Sequence, residues 1–254
     1  MYMAIKGDVL VAERDSAGNA GALRDVGEVE LCEITVDTEY LDNFTNNSPV
    51  SEQDLHVPVK RTAKGSLTLK EASAENLALA LHGEVIDETS GAFSAAAFPI
   101  GIAAGETHLL PGHRTKVSSL VITDSAGSPA TLVAGTDYVA DLVNGTVKFL
   151  IVTGRTQPFK AAGSEATGKK SIAILKSQKV TNKFIRVQGV NIADEEKAVV
   201  VDIFCVSLMP AKKVGLGNKA ELSMYEIEMT LLADPKKAID AQMGRFGQYR
   251  LLEP

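Results

Sequence analysis

VTNKFIRVQGVNIADEEKAVVVDIFCVSLMPAKKVGLGNKAELSMYEIEMTLLAD, Val180 to Asp234, decides the fold. Phe184 to Gly189 alternates, with Ile185 and Val187 on one face and Arg186 and Gln188 on the other, the period of a half-buried strand. Ala198 to Leu208 is apolar on both faces and predicts a central strand covered on both sides. Glu221 to Leu232 sets Ile227, Met229 and Leu231 against Glu226, Glu228 and Thr230. Turn signals separate the three: Gly189 to Glu196, then Pro210 to Asn218 with Gly215 and Gly217. The stretch predicts a sheet with one packed and one polar face.

Upstream, the same pattern returns. Glu28 to Tyr40 puts Cys32, Ile34 and Val36 opposite Glu33, Thr35 and Asp37. Val57 to Lys70 alternates along its whole length, with Val57, Val59, Ala63, Leu67 and Leu69, joined by Arg61 and Gly65, against Lys60, Thr62, Lys64, Ser66, Thr68 and Lys70. A strand this long exceeds the usual five or six residues and implies a tall sheet, half buried and half wet throughout. Between them, LDNFTNNSPVSEQDLH, Leu41 to His56, reads as a polar loop too long for an ordinary hairpin connection. Loops of that length between strong strands commonly bind something.

Ser73 to Gly83 predicts a short helix with Ser73 as N-cap, Glu75 in the first turn, Gly83 as C-terminal cap and an apolar stripe of Leu77, Ala80 and Leu81. Residues 98–159 read as a small inserted β module, with a type I′ turn expected at Asn144-Gly145. Residues 1–97 and 160–254 then form the main β domain, and Arg155 to Lys170, across the boundary, reads as a loop. Asp234-Pro235 opens a predicted short helix running to about Met243. The tail after it carries Phe246, Tyr249, Leu251 and Leu252, which need burial on their own domain or on a neighbour.

A net charge of -6 argues against a protein that grips nucleic-acid phosphates, and the absence of Trp leaves little for base or sugar stacking. Cys32 and Cys205 both fall in strand patterns and read as small buried hydrophobes of a reducing compartment; a disulfide would need their strands to be neighbours. Met1 to Gly7 lacks the apolar core of a signal peptide, and no stretch approaches a membrane span, so folding in a cytoplasm is expected.

No GxSxG, HExxH, CxxC or Walker loop is present, and Gly215-Leu216-Gly217 opens no helix. Asp194-Glu195-Glu196 reads as a solvated turn, without further ligands at loop spacing for a cation. The sequence therefore predicts no catalytic residue, no metal and no cofactor.

GDVLVAERDSAGN with RDVGEVELCEITVDTE, the junction GSLTLKEASAENLALALHGE, and the series FIRVQGVN, VVVDIFCVSLMPAKKVGLG and ELSMYEIEMTLLADP together resemble the major tail (tail tube) proteins of long-tailed bacteriophages. The likeness covers most of the chain outside the insertion and lies in strand order, helix and loop placement. It implies a β-barrel or sandwich with one flanking helix, assembled as six-membered rings stacked into a hollow tube. It implies a virion tail location after assembly in the host cytoplasm, contacts with tape-measure, tail-terminator and baseplate or tip proteins, and DNA in transit without specific binding. Under that reading Thr62, Ser66, Thr68, Glu226 and Glu228 line the channel. Asn43, Phe44, Asn46, Asn47, Pro49 and Gln53 belong to a loop that reaches a neighbouring subunit, and Phe246, Tyr249, Leu251 and Leu252 make a C-terminal contact. Lys60, Lys64 and Lys70 share the proposed channel face; either carboxylates neutralise them or that face is not the channel.

The alternatives are a β-sandwich binding or attachment module, a tube protein of the secretion-system type, and an enzyme whose site is assembled from distant residues. The low aromatic content disfavours a glycan-binding cleft.

Overall fold

The computed structural model describes residues 4–45, 50–176, 181–193, 197–215, 224–238, 242 and 244–252. The protein is mainly β with one short helix among the described residues. It divides into two compact units, Met1–Val85 with Ile172–Pro254, and Ile86–Ser171. The inserted unit is thus wider than residues 98–159, because flanking segments that the sequence assigned to the main domain pair inside the insertion.

The first unit is built on β1 (Ile5–Glu13), β2 (Arg24–Asp25), β3 (Val29–Thr45), β4 (Glu52–Leu69) and α1 (Ala74–Ala80). Then β5 (Glu84–Glu88) leads into the insertion, and the chain returns through β12 (Lys169–Ala173), which pairs with β5. The unit is completed by β13 (Lys183–Asn191), β14 (Lys197–Leu208), β15 (Tyr225–Leu231) and β16 (Gly247–Leu252). These strands form an eight-stranded sheet of order β2-β1-β13-β14-β15-β4-β3, with β16 also on β14.

All the pairings with a described register in this sheet are antiparallel. No sheet among the described residues closes into a barrel.

The predicted centrality of Ala198 to Leu208 has a specific form. One edge of β14 pairs with β13, and the other takes β16 over Ala198–Ile203 and then β15 over Val206–Leu208. At the changeover Phe204 N–H donates to the Phe246 carbonyl (3.0 Å), and Leu232 N–H donates to the Cys205 carbonyl (2.8 Å). Strands from both halves of the sheet contribute to one core, with Val9, Val11 and Ile185 beside Leu67, Ile227 and Met229.

The helix is shorter than predicted. Ser73 Oγ accepts from the Asn76 N–H (3.2 Å), as an N-cap should. At the other end His82, not Gly83, takes the left-handed conformation (φ 47°). Its N–H donates to Leu79 O, and the Gly83 N–H to Ala78 O at 2.8 Å, the two bonds of a Schellman cap. Gly83 is required for a different reason: a Cβ there would stand 2.1 Å from the Ala173 carbonyl oxygen. The buried Asn76 is fully engaged, donating to Val26 O (2.7 Å) and Glu71 O (3.0 Å) and accepting from Arg24 (2.8 Å).

Three further expectations are corrected. The loop predicted over Leu41 to His56 is strand: β3 runs to Thr45 and β4 starts at Glu52. The helix predicted after Asp234 is a turn, because the Asp234 carboxylate accepts from the Lys236 N–H (3.0 Å) and its carbonyl from the Lys237 N–H (3.2 Å). Positions 239–241 and 243 of that helix lie outside the described residues, as do the 194–196 acidic cluster and the 216–223 part of the Gly-rich connection. The apolar tail is the strand β16, with Phe246 packed against the core.

The second unit contains β6 (Ala92–Ala97), β7 (Thr107–Leu109), β8 (Val117–Thr123), β9 (Tyr138–Asp141), β10 (Thr146–Phe149) and β11 (Lys160–Glu165). They form two three-stranded sheets, β7-β10-β9 and β6-β11-β8. Its core is organised by Phe149, which meets Phe98 edge-on (5.2 Å) and stacks with Phe159 (4.9 Å). The segment read as a loop, Arg155 to Lys170, contains the central strand β11. The Asn144-Gly145 turn is not type I′, since only Gly145 has positive φ (69°). Asp141 shapes it by accepting from the Val143 and Asn144 N–H groups, each at 3.0 Å.

Candidate assembly surface

β15 accompanies β4 only from Ala63 to Leu69. From Asp37–Thr62 to Thr45–Glu52 the β3–β4 hairpin therefore continues as two strands alone, an arm of about 30 Å. Extra residues on β4, at the register shifts beside Tyr40 and Phe44, bend it. Polar cross-strand contacts hold it together. His56 Nδ1 lies 2.5 Å from Asp42 Oδ1, Gln53 donates to the same oxygen (2.7 Å), and Asn43 donates to Asp54 (2.7 Å). Tyr40 stacks on the His56 ring at 4.1 Å.

Among the described residues, several of the arm's apolar side chains remain about half exposed. Leu41 and Val57 are directly paired and 55% and 42% exposed, with Leu55 beside them at 43%. Val57 and Val59, assigned by alternation to a packed face, are exposed: Val59 is the extra residue at the shift beside Tyr40, and the shift turns Val57 onto the face of Glu39 and Lys60. Two-stranded hairpins are marginal in water by themselves. Of the residues predicted to form an inter-subunit loop, Asn43, Phe44 and Gln53 lie on the arm's strands. Asn46, Asn47 and Pro49 lie outside the described residues.

The residues predicted to line a channel do come together. Cross-strand register places Glu33, Ser66 and Glu228 in one row, Leu31, Thr68 and Glu226 in the next, and Thr35, Lys64 and Thr230 in a third. Thr62 stands opposite Asp37. Ser66 Oγ donates to Glu33 (3.3 Å), and Lys212 pairs with Glu228. The lysines on or beside this face are largely neutralised. Lys60 bonds Glu39 at 2.6 Å, and Lys70 lies between Glu28 (3.2 Å) and Glu30. Hydrogen bonds to those carboxylates, then their charge, push both ammonium groups above the ordinary lysine value. Lys64 sits between Thr35 and Thr230, and Glu33, Asp37 and Glu226 leave the face acidic.

The opposite half of the sheet has a different character. Asp202, buried on β14, accepts from Arg186 (2.6 and 3.2 Å) and from Gln248 (2.7 Å), with Arg250 at 3.8 Å. Burial alone would raise its carboxyl; the Arg186 and Gln248 hydrogen bonds and the two arginine charges outweigh that and hold it below the usual value. This cluster fixes the C-terminal strand to β14 and was missed in the sequence, although a lone carboxylate inside AVVVDIFCV was its signal. Tyr249, Leu251 and Leu252 are on β16 and remain partly exposed.

Cys32 and Cys205 are free thiols. Burial, then the charge of Glu33, pushes the Cys32 thiol up to about 11. Among the described residues no group of His, Cys, Asp and Glu is arranged to hold a metal ion, and no helix is long and apolar enough to cross a membrane.

Residues 2–250 match the family described as "Protein of unknown function UCP028589". The chain belongs to that family. A search of curated proteins returns no match. In this UCP028589 member, the arm, the acidic sheet face and the strand-switching corner at β14 all lie within the matched span.

Proposed function

We propose that this chain is a wall subunit that assembles with copies of itself into six-membered rings, stacked as a tube like the phage tail tubes its sequence resembles. The carrying observation is the β3–β4 arm: two strands with exposed Leu41, Leu55 and Val57 and no covering layer of their own. A second copy supplies the cover. Joining subunits at the outer edge of β3 and the outer edge of β16, neither of which pairs among the described residues, turns open sheets into one continuous barrel.

The acidic β3-β4-β15 face then lines the channel. Phosphates gain affinity for a surface by releasing counterions to its cations, and a face led by Glu33, Asp37, Glu226 and Glu228 offers no such gain. DNA passes without sticking. The subunit has no catalytic task in this reading. Its partners are itself, the tape-measure, terminator and baseplate or tip proteins of a tail, and DNA in transit; its location is the virion tail.

Negative-stain electron microscopy of the purified chain over a concentration series tests the proposal. Rings or tubes of six-fold symmetry are expected. A monomer that persists at high concentration, with an arm protected from proteolysis, overturns it.

A further inference from the structure

β3 and β16 each have an outer edge that pairs with nothing among the described residues. Their side chains match. On β3, Cys32 and Ile34 stand opposite Leu67 and Gly65, on the face that carries the buried Met229. On β16, Leu251 and Tyr249 stand opposite Val199 and Val201, on the face that reaches the core through Val187 and Val9. Both pairs therefore belong to the core side of the sheet. Ile34, Tyr249 and Leu251 are nonetheless 41%, 44% and 44% exposed, as side chains on uncovered edge strands. Within one chain the two edges do not pair, and a groove of about 470 Å³ is lined by Ile34 from one and Tyr249 from the other.

The polar faces of the same two strands carry opposite charge. Glu33, on β3, accepts from Ser66 and has no ion pair among the described residues. Arg250, on β16, reaches only Asp202 at 3.8 Å, and that carboxylate is already held by Arg186 and Gln248. We infer that the β3 edge of one copy pairs with the β16 edge of the next in the register that sets Arg250 against Glu33. Cys32 and Ile34 bracket Glu33 in the chain, as Tyr249 and Leu251 bracket Arg250. Whichever way the strands run, this register lays Tyr249 and Leu251 beside Cys32 and Ile34. Setting Arg250 against Asp37 would instead put Thr38 beside one of them. Opposite charges directly across a strand pair stabilise it, and like charges destabilise it.

The charge pair fixes the register. A slip of one residue turns the apolar faces outward, and a slip of two sets Arg250 against Leu31 or Thr35. The two edges are different surfaces of the chain, so the contact is head-to-tail and builds rings or open filaments. The inference rests on the self-assembly reading and names the residues that select one edge for the other.

Charge reversal in two separate chains provides the test. Arg250→Glu and Glu33→Arg are each made in the full chain and checked by circular dichroism. The concentration for half-assembly is measured by light scattering, for each alone and for an equimolar mixture, with electron microscopy in parallel. Either variant alone sets like charges across every junction, so its threshold is expected to rise by about tenfold or more over the parent. The mixture is expected to return toward the parent's threshold, because alternating chains restore an opposite pair at each junction and a six-membered ring holds equal numbers of both. If either reversed chain loses its fold, Leu251→Cys and Tyr249→Cys decide instead. One of the two is expected to give intermolecular ladders with native Cys32 under copper phenanthroline, lost on adding Cys32→Ala. In a parent that assembles, folded variants with unchanged thresholds, a mixture no better than its components, or ladders from neither cysteine variant overturn the pairing and leave the tube reading standing. Open filaments that recover on mixing, without rings, support the pairing and overturn the tube. A parent that stays monomeric overturns both.

Discussion

Arg14 and Asp234 form an ion pair of 2.8 Å whose side chains are 8% and 3% exposed, tying the end of the first strand to the segment after β15. The guanidinium also donates to Gly18 O at 3.0 Å. Removing one member of such a pair strands a buried charge. Arg14→Ala is therefore expected to cost roughly 3–5 kcal/mol, whereas Arg14→Met with Asp234→Leu recovers much of the loss. Urea unfolding of the three proteins measures both.

The acid limb of stability follows from Asp234 and Asp202. For Asp234, burial pushes the carboxyl up, but the Lys236 amide and Arg14 outweigh it and leave the group below its usual value. Asp202 is shifted the same way. A folded-state pKa below the unfolded one, about 3.9 for Asp, contributes stability above that pH and loses it as pH falls toward the folded value. Urea midpoints are expected to be flat near neutrality and to fall below about pH 4. In Arg14→Ala the buried Asp234 favours its protonated form, so the gap to the parent narrows in acid.

Gly7 and Gly189 stand opposite each other in the β1–β13 ladder. A Cβ on Gly7 would lie 2.1 Å from the Gln188 carbonyl oxygen, and one on Gly189 would lie 2.2 Å from that of Lys6. Both obstacles are backbone and cannot rotate away. Gly189→Val is expected to yield little soluble folded protein, while Val190→Ile, one residue along, expresses normally; a soluble-fraction assay with circular dichroism decides.

Asn76→Ala leaves the Val26 and Glu71 carbonyls and one Arg24 donor without their partner. Each buried orphan costs about 1–3 kcal/mol, so a loss of at least about 2 kcal/mol is expected. Asn76→Asp keeps the shape but replaces the donating amide with an acceptor facing two carbonyls, and is expected to be no better. Thermal unfolding of both variants checks this.

Reversing the acidic face should convert a slippery surface into an adhesive one. Glu226→Lys with Glu228→Lys is expected to create DNA binding that weakens steeply with salt, where the parent shows none. Filter binding at rising salt measures it. A parent that already binds DNA would move the channel to another face.

The strands of the main sheet were legible because their burial is one-sided. Ile227, Met229 and Leu231 are buried on β15 while Glu226 is exposed, and the alternation reads directly. β11 was not legible: KAAGSE is small and polar, has no β-branched residue, and is held by neighbours on both edges. The arm was missed for a related reason. Its ladder is stabilised by Asn43–Asp54 and Asp42–His56 contacts, which in one dimension look like loop composition. The residues proposed to line a channel were legible as a face, but the cations neutralised by Glu39, Glu28 and Glu30 required the register, including the irregularity between Val29 and Leu31 that brings both Glu28 and Glu30 to Lys70.

The changeover on β14 also dictates an order of birth. β1 waits for β13, which emerges from the ribosome after the whole insertion has been made, and β14 has a bare flank until residues 247–252 appear. The strands between Ala92 and Glu165 find their partners among themselves as they emerge. During synthesis the insertion thus completes its own pairing before the main sheet, which closes only when residues 247–252 have emerged.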